Sequence, residues 1–147
     1  MDFKNYMSED LEFTGSLVSE LQQNIKEWSI EKIIDRIDVM FHAFHKRFAL
    51  EDFIFNHVKP TGVMKNSLEQ FLKIRRAFRK RLENILLLNI DEPDFRNEIA
   101  QLLKAMSSHM IYLTTEFEPD FIKQVSADQM ALMSATLKSE IHLLSFI

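Results

Sequence analysis

Cysteine is absent from this chain, and 147 residues contain only two glycines, three prolines and one tryptophan. Without cysteine there is no disulfide, thiolate nucleophile, iron–sulfur cluster or cysteine-ligated zinc. So few glycines and prolines cannot punctuate a series of hairpins or build a glycine-rich phosphate loop. No long run is free of charge, so neither a signal peptide nor a membrane span is expected, and the chain reads as cytoplasmic. The 18 basic and 22 acidic side chains leave a net charge of −4, which argues against a general nucleic-acid coat.

What remains is rich in helix formers. At 46% hydrophobic and 27% charged residues, the composition fits one globular domain over 1–147. Ser8 reads as an N-cap, and Leu17, Leu21, Ile25 and Trp28 recur at helical spacing, predicting a first helix over 8–28. Ser29 caps a second, with a stripe of Ile33, Ile37, Phe41, Phe44, Phe48, Glu51, Phe55 and Val58 that stops near Pro60-Thr61-Gly62. The third carries Met64, Leu68, Phe71, Arg75, Phe78, Leu82 and Ile85. Asp91 and Pro93 start the fourth, with Phe95, Ile99, Leu102, Met106, His109, Leu113 and Phe117, and Pro119 is expected to end it or come close to its end.

The fold class is therefore all-α: an antiparallel up-down-up-down four-helix bundle with its core over 8–123. An additional C-terminal helix over 126–146 opens on a capping box, Ser126 to Gln129, and carries Met130, Met133, Leu137, Ile141 and Leu144. That helix either covers the bundle or packs against a second copy, so self-association as a homodimer is one expectation.

Three core-phase positions interrupt the apolar stripes: Glu51 on helix two, Arg75 on helix three and His109 on helix four. Thr14 fits the same phase on helix one. A lone buried carboxylate is costly, so Glu51 requires a cation, a metal, a proton or water. Two readings stay open. One is a metal or polar pocket inside the bundle; the other is drifting stripes whose polar side chains snorkel to wet ends.

The run RFALED followed by FIF, then MKNSLEQFL and later SSHMIYLTTEF, resembles the hemerythrin-like fold, which includes the bacterial hemerythrins and other HHE cation-binding domains. The resemblance spans residues 8–123 and is clearest over 44–72. It implies a bacterial protein. That family holds two irons inside an up-down bundle and binds oxygen. Its ligands are a histidine on helix one, His-x-x-x-Glu on helix two, His-x-x-x-His on helix three and His-x-x-x-x-Asp on helix four. Carried across, the resemblance puts Thr14 near the first position, Arg47 and Glu51 at the second pair, Met64 and Leu68 at the third, and His109 and Thr114 at the fourth. Another branch of the family has a Glu four residues after the last histidine; here Leu113 stands there. Only Glu51 and His109 retain ligand-type side chains.

One carboxylate and one imidazole would leave most positions of a di-iron centre to water, which an apolar interior does not readily supply. Arg47, one turn before Glu51, or Arg75 from the next helix can instead provide a fixed cation. The expectation is a degenerate metal site without a cofactor, a polar cluster of Thr14, Arg47, Glu51, Arg75 and His109. The alternative is iron held by Glu51 and His109 in an altered ligand set, for oxygen binding or redox sensing.

Other features are less specific. His42 and His45 could pinch an ion with Glu51 or Asp52, or simply lie on the surface; His57 and His142 are isolated. KIRRAFRKR, with Lys73, Arg76, Arg79, Lys80 and Arg81, makes a basic patch that could meet an acidic partner, anionic lipid or nucleic acid, or remain solvated. Aromatics for base stacking are absent from that face, so nucleic acid is not expected. The carboxylate pairs Glu9-Asp10, Glu51-Asp52 and Asp91-Glu92 fit caps and helix surfaces, and no catalytic constellation is recognisable. The methionines fill core space or line an adaptable groove. The leading expectation is a non-enzymatic interaction or signalling module with a protein partner. RFALED also resembles a short segment of the bacterial anti-sigma regulators, which keeps transcription-factor binding as a second alternative.

Overall fold

The computed structural model describes residues 2–59, 63–88 and 93–145, excepting the side chains of 63, 86 and 139–145. Among the described residues all regular structure is helical, with no strand. Helices α1 (Phe3–Asn24), α2 (Ile30–His57), α3 (Val63–Leu87) and α4 (Pro93–Tyr112) are followed by a wide π turn (Leu113–Phe117), a short α5 (Glu118–Gln124) and α6 (Ala127–Ser145). No described helix is long and apolar enough to cross a membrane.

Helix α1 begins five residues before Ser8. Asp2 is its N-cap, accepting the Lys4 N–H at 2.9 Å, while Ser8 donates to Glu118 Oε1 at 2.7 Å. The early start is driven by burial: Phe3 is fully enclosed, stacks on Phe53, touches Phe121, and donates its N–H to Ser134 Oγ. The other end of α1 also differs from expectation, since Ile25 and Trp28 lie beyond it. Arg96 on α4 closes that end by donating to the carbonyl of the C-cap Ile25 at 2.7 Å and to that of Trp28, in the connection to α2, at 3.0 Å. Ser29 caps α2 by accepting the Lys32 N–H. The turn at 60–62 and the Asp91 start signal lie outside the described residues.

The α4 stripe is buried from Phe95 through His109 to Phe117. Pro119 does not end this rod. Between Leu113 and Phe117 the backbone widens by one residue, with the Glu118 N–H reaching the Leu113 carbonyl, and the chain passes through Pro119 into α5. A proline in a regular helix clashes with the carbonyl four residues back, and the wide turn lies where that carbonyl would stand.

Helix α1 packs against α2, α4 and α6, and α3 packs against α4 and the wide turn. Between α2 and α3 the seam is aromatic: Phe78 meets Phe41, Phe44 and Phe48, and Phe71 meets Phe55. Ser126 and Gln129 form the reciprocal capping box that starts α6. Met133 and Leu137 bury this helix against α1 and α2 of its own chain. The side chains of Ile141, His142 and Leu144 lie outside the described residues.

Candidate functional site

Six polar side chains are buried among the described residues: Asp10, Thr14, Arg47, Glu51, Ser67 and His109. Four of them carry charge or can acquire it, and they are linked. Helix α1 supplies Asp10 and, one turn on, Thr14; α2 supplies Arg47 and Glu51, also one turn apart; α4 supplies His109; and α3 adds the half-buried Arg75.

Arg47, with no exposed surface, donates from Nη1 to Asp10 Oδ2 at 3.3 Å and holds Nε 3.3 Å from Glu51 Oε2. The same Glu51 oxygen lies 3.4 Å from His109 Nε2, and Glu51 Oε1 lies 3.5 Å from Arg75 Nη2. Arg75 leads the chain outward: Nη1 donates to Asp52 at 2.7 Å and Nη2 to the Phe48 carbonyl at 2.9 Å. The His109 and Phe71 rings also meet nearly at right angles, with centroids 5.4 Å apart.

Burial pushes the Asp10 carboxyl above its ordinary value, against the opposing pull of the Arg47 guanidinium and Lys46 and with a further push from Glu51. Five polar atoms of the cluster, Thr14 Oγ1, Arg47 Nε and Nη2, Glu51 Oε1 and Arg75 Nε, are buried without a hydrogen-bond partner among the described residues, although Arg47 Nε and Glu51 Oε1 stand at ion-pair distance from Glu51 Oε2 and Arg75 Nη2. A cleft of about 200 Å³ between α3 and α4, walled by Gln70, Ile74, Ser108 and Tyr112, has His109 at its floor.

Of the residues singled out by sequence, Arg47, Glu51, Arg75 and His109 come together; Thr14 is buried on α1 without joining the hydrogen bonds. Asp10 was missed. Read as half of a surface or capping pair with Glu9, it lies inside, and the signal was its place in the series Phe3, Met7, Asp10, Thr14, Leu17, which a helix beginning at Ser8 hides. Glu51 is likewise not part of a surface pair, although Asp52 and Glu9 are exposed. Asp91-Glu92 lies outside the described residues.

No family model, curated protein or solved structure matches the chain.

The side chains can be weighed against the two irons that the hemerythrin resemblance implies. Met64 is buried and Leu113 is buried at positions where that resemblance asks for ligands, and neither offers a lone pair to a hard cation. Among the described residues no three His, Asp or Glu side chains gather as a metal site. A guanidinium stands at the Glu51 oxygen nearest His109. This donor set does not fit a di-iron centre. What it can do is tie α1, α2, α3 and α4 in one register.

The remaining candidates are peripheral. His42 and His45 are exposed, His42 Nδ1 lying 2.8 Å from the Asp38 carbonyl; His57 Nδ1 meets the Phe53 carbonyl at the same distance. In the basic run Lys73, Arg76, Arg79 and Lys80 are exposed, whereas Arg81 is half-buried and lies 3.6 Å from Glu98. Met7, Met40, Met64, Met106, Met110 and Met133 fill the core.

Proposed function

We propose that this chain is a non-enzymatic bacterial module of hemerythrin-like, antiparallel up-down-up-down architecture that acts in the cytoplasm by binding another protein. A chain of protein ion pairs stands where that family holds metal. The architecture is supported by the order of contacts along neighbouring helices. Asp10 meets Arg47 while Glu20 meets Arg36; Phe55 meets Phe71 while Phe41 meets Phe78; Ser67 meets Tyr112 while Arg81 meets Glu98.

The observation that carries the functional reading is Arg47, fully enclosed and set between Asp10 and Glu51. A divalent cation at Glu51 Oε2 would stand beside a guanidinium of like charge. Arg47 and Glu51 have no exposed surface on which a substrate could act, which leaves recognition to the outer faces of the helices. Because α6 lays Met133 and Leu137 against its own chain, the partner in this reading is a different protein rather than a second copy joined through α6.

One observation favours a second reading, iron binding for oxygen or redox sensing: Glu51 and His109 keep a carboxylate and an imidazole 3.4 Å apart. Elemental analysis of untagged protein from iron-supplemented medium separates the two. The proposal expects far less than one metal ion per chain, before and after Glu51→Gln. Stoichiometric iron or manganese, with an oxygen-dependent ultraviolet band, overturns it in favour of the second reading.

A further inference from the structure

Charge is distributed very unevenly over this molecule. Helix α3 carries seven Lys or Arg and two Glu, a local charge of +5, which leaves −9 on the remainder of a chain whose net charge is −4. Two of the seven cations are committed: Arg75 to Glu51 and Asp52, and Arg81 to Glu98. Lys73, Arg76, Arg79 and Lys80 are exposed and make no ion pair among the described residues, although Glu69 and Glu83 stand within one turn of them. Like charges four residues apart, such as Arg76 and Lys80, repel one another on an exposed helix, and an acidic partner would relieve that repulsion.

We propose that the outward face of α3 docks an acidic helical segment of a protein partner. This deepens the interaction-module reading above and rests on it. Lys73, Arg76 and Lys80 follow one another at spacings of three and four, forming a ridge about 10 Å long at 1.5 Å per residue. Leu72, Arg76 and Arg79 form a second ridge beside it, and Leu72 is 48% exposed. Carboxylates at i, i+3 or i+4, and i+7 of a partner helix match the first ridge in period, and one apolar side chain of that helix can cover Leu72.

The same features disfavour other polyanions. A nucleic-acid strand extends well past a 10 Å ridge and would then meet the acidic remainder of the molecule, and the face offers no aromatic for a base. A lipid surface is a plane; it would face Glu69 and Glu83 as well as the cations, with, among the described side chains of α3, only Leu72 and the terminal Leu87 as exposed large apolar groups to enter it. A short acidic helix is the partner whose size and shape suit the patch, and such contacts chiefly set association rate, specificity and salt dependence.

The test uses the full chain and a synthetic, fluorescently labelled helical peptide carrying glutamates at i, i+3 and i+7 beside one leucine, read by anisotropy. The peptide should bind, weakening as salt rises. Affinity should drop about tenfold or more for Lys73→Glu/Arg76→Glu/Lys80→Glu. A peptide with lysines in place of the glutamates should bind that variant and not the parent. Circular dichroism checks that the variant is folded, and the milder Lys73→Gln/Lys80→Gln should give an intermediate loss. Equal binding of a scrambled peptide, equal binding by the charge-reversed variant, or tighter binding of single-stranded RNA or phosphatidylserine vesicles overturns the assignment. A metal-free protein that fails these peptide tests defeats the α3 face and leaves the module reading standing. A protein that passes them while carrying stoichiometric iron keeps the face and defeats the reading of the interior.

Discussion

Arg47 and His109 converge on one atom: Arg47 Nε at 3.3 Å and His109 Nε2 at 3.4 Å both approach Oε2 of Glu51. Through that oxygen α2 is tied to α4, while the other end of the Arg47 guanidinium reaches α1 at Asp10. The second Glu51 oxygen faces Arg75 on α3. A single carboxylate is thus linked, directly or through one guanidinium, to all four long helices, and its partners are strongly interdependent.

Removing the guanidinium should be costly. Arg47→Met leaves two buried carboxylates without their shared cation and is expected to lose about 3–5 kcal/mol in urea unfolding. Arg47→Met/Glu51→Met, which takes away the stranded charge as well, should be more stable than Arg47→Met alone. Strict additivity of the two single substitutions would contradict a coupled pair.

Asp10 gives the network a pH signature. Its folded-state pKa lies above the ordinary 3.8, so the folded form holds the proton more tightly than the unfolded form. The stability contributed by protonated Asp10 is therefore complete below that ordinary value and is lost as pH rises through the raised folded value. Asp10→Asn cannot titrate. Subtracting its stability from that of the parent across a pH series from acid to neutral should give a difference that declines as pH increases. A flat difference would mean that burial leaves this carboxyl unperturbed.

Gly15 lies within α1, where glycine is unfavourable relative to alanine. A Cβ there would meet only the Met110 Cε, at 4.0 Å, an ordinary contact. Gly15→Ala should raise stability by about 0.5–1 kcal/mol, visible as a higher melting temperature. A lower one would show that α1 and α4 approach too closely for the methyl group.

The wide turn before Pro119 can be tested by shortening it. Deleting Thr115, which is exposed, should force regular helical bonding and bring the Pro119 ring against the carbonyl four residues back, at a cost of about 3 kcal/mol or more. Pro119→Ala in the shortened chain should recover most of that loss in thermal unfolding. No recovery would place the cost of the deletion elsewhere.

Some of this was legible in the residue pattern. The stripe from Phe95 to Phe117 identified the buried face of α4, and Ser29 and Ser126 marked two helix starts, because capping and amphipathic spacing are local properties. Glu51 and His109 stood out as polar residues in apolar phase for the same reason. Asp10 and Phe3 were hidden because Ser8 offered a competing start signal, and only the enclosure of Phe3 by Phe53 and Phe121 shows why the helix begins earlier.

By itself, the sequence determined that the chain is helical, which faces of its helices are apolar, and that polar side chains interrupt those faces. Periodicity is a property of each helix alone and carries no information about which neighbour covers a face. Tertiary structure decided that α2 is covered on two sides and so encloses Arg47, that Asp10 rather than Thr14 receives its guanidinium, that α6 returns to its own chain, and that a wide turn carries α4 past Pro119. These outcomes depend on distances of 3 to 4 Å between side chains far apart in sequence, which only packing sets.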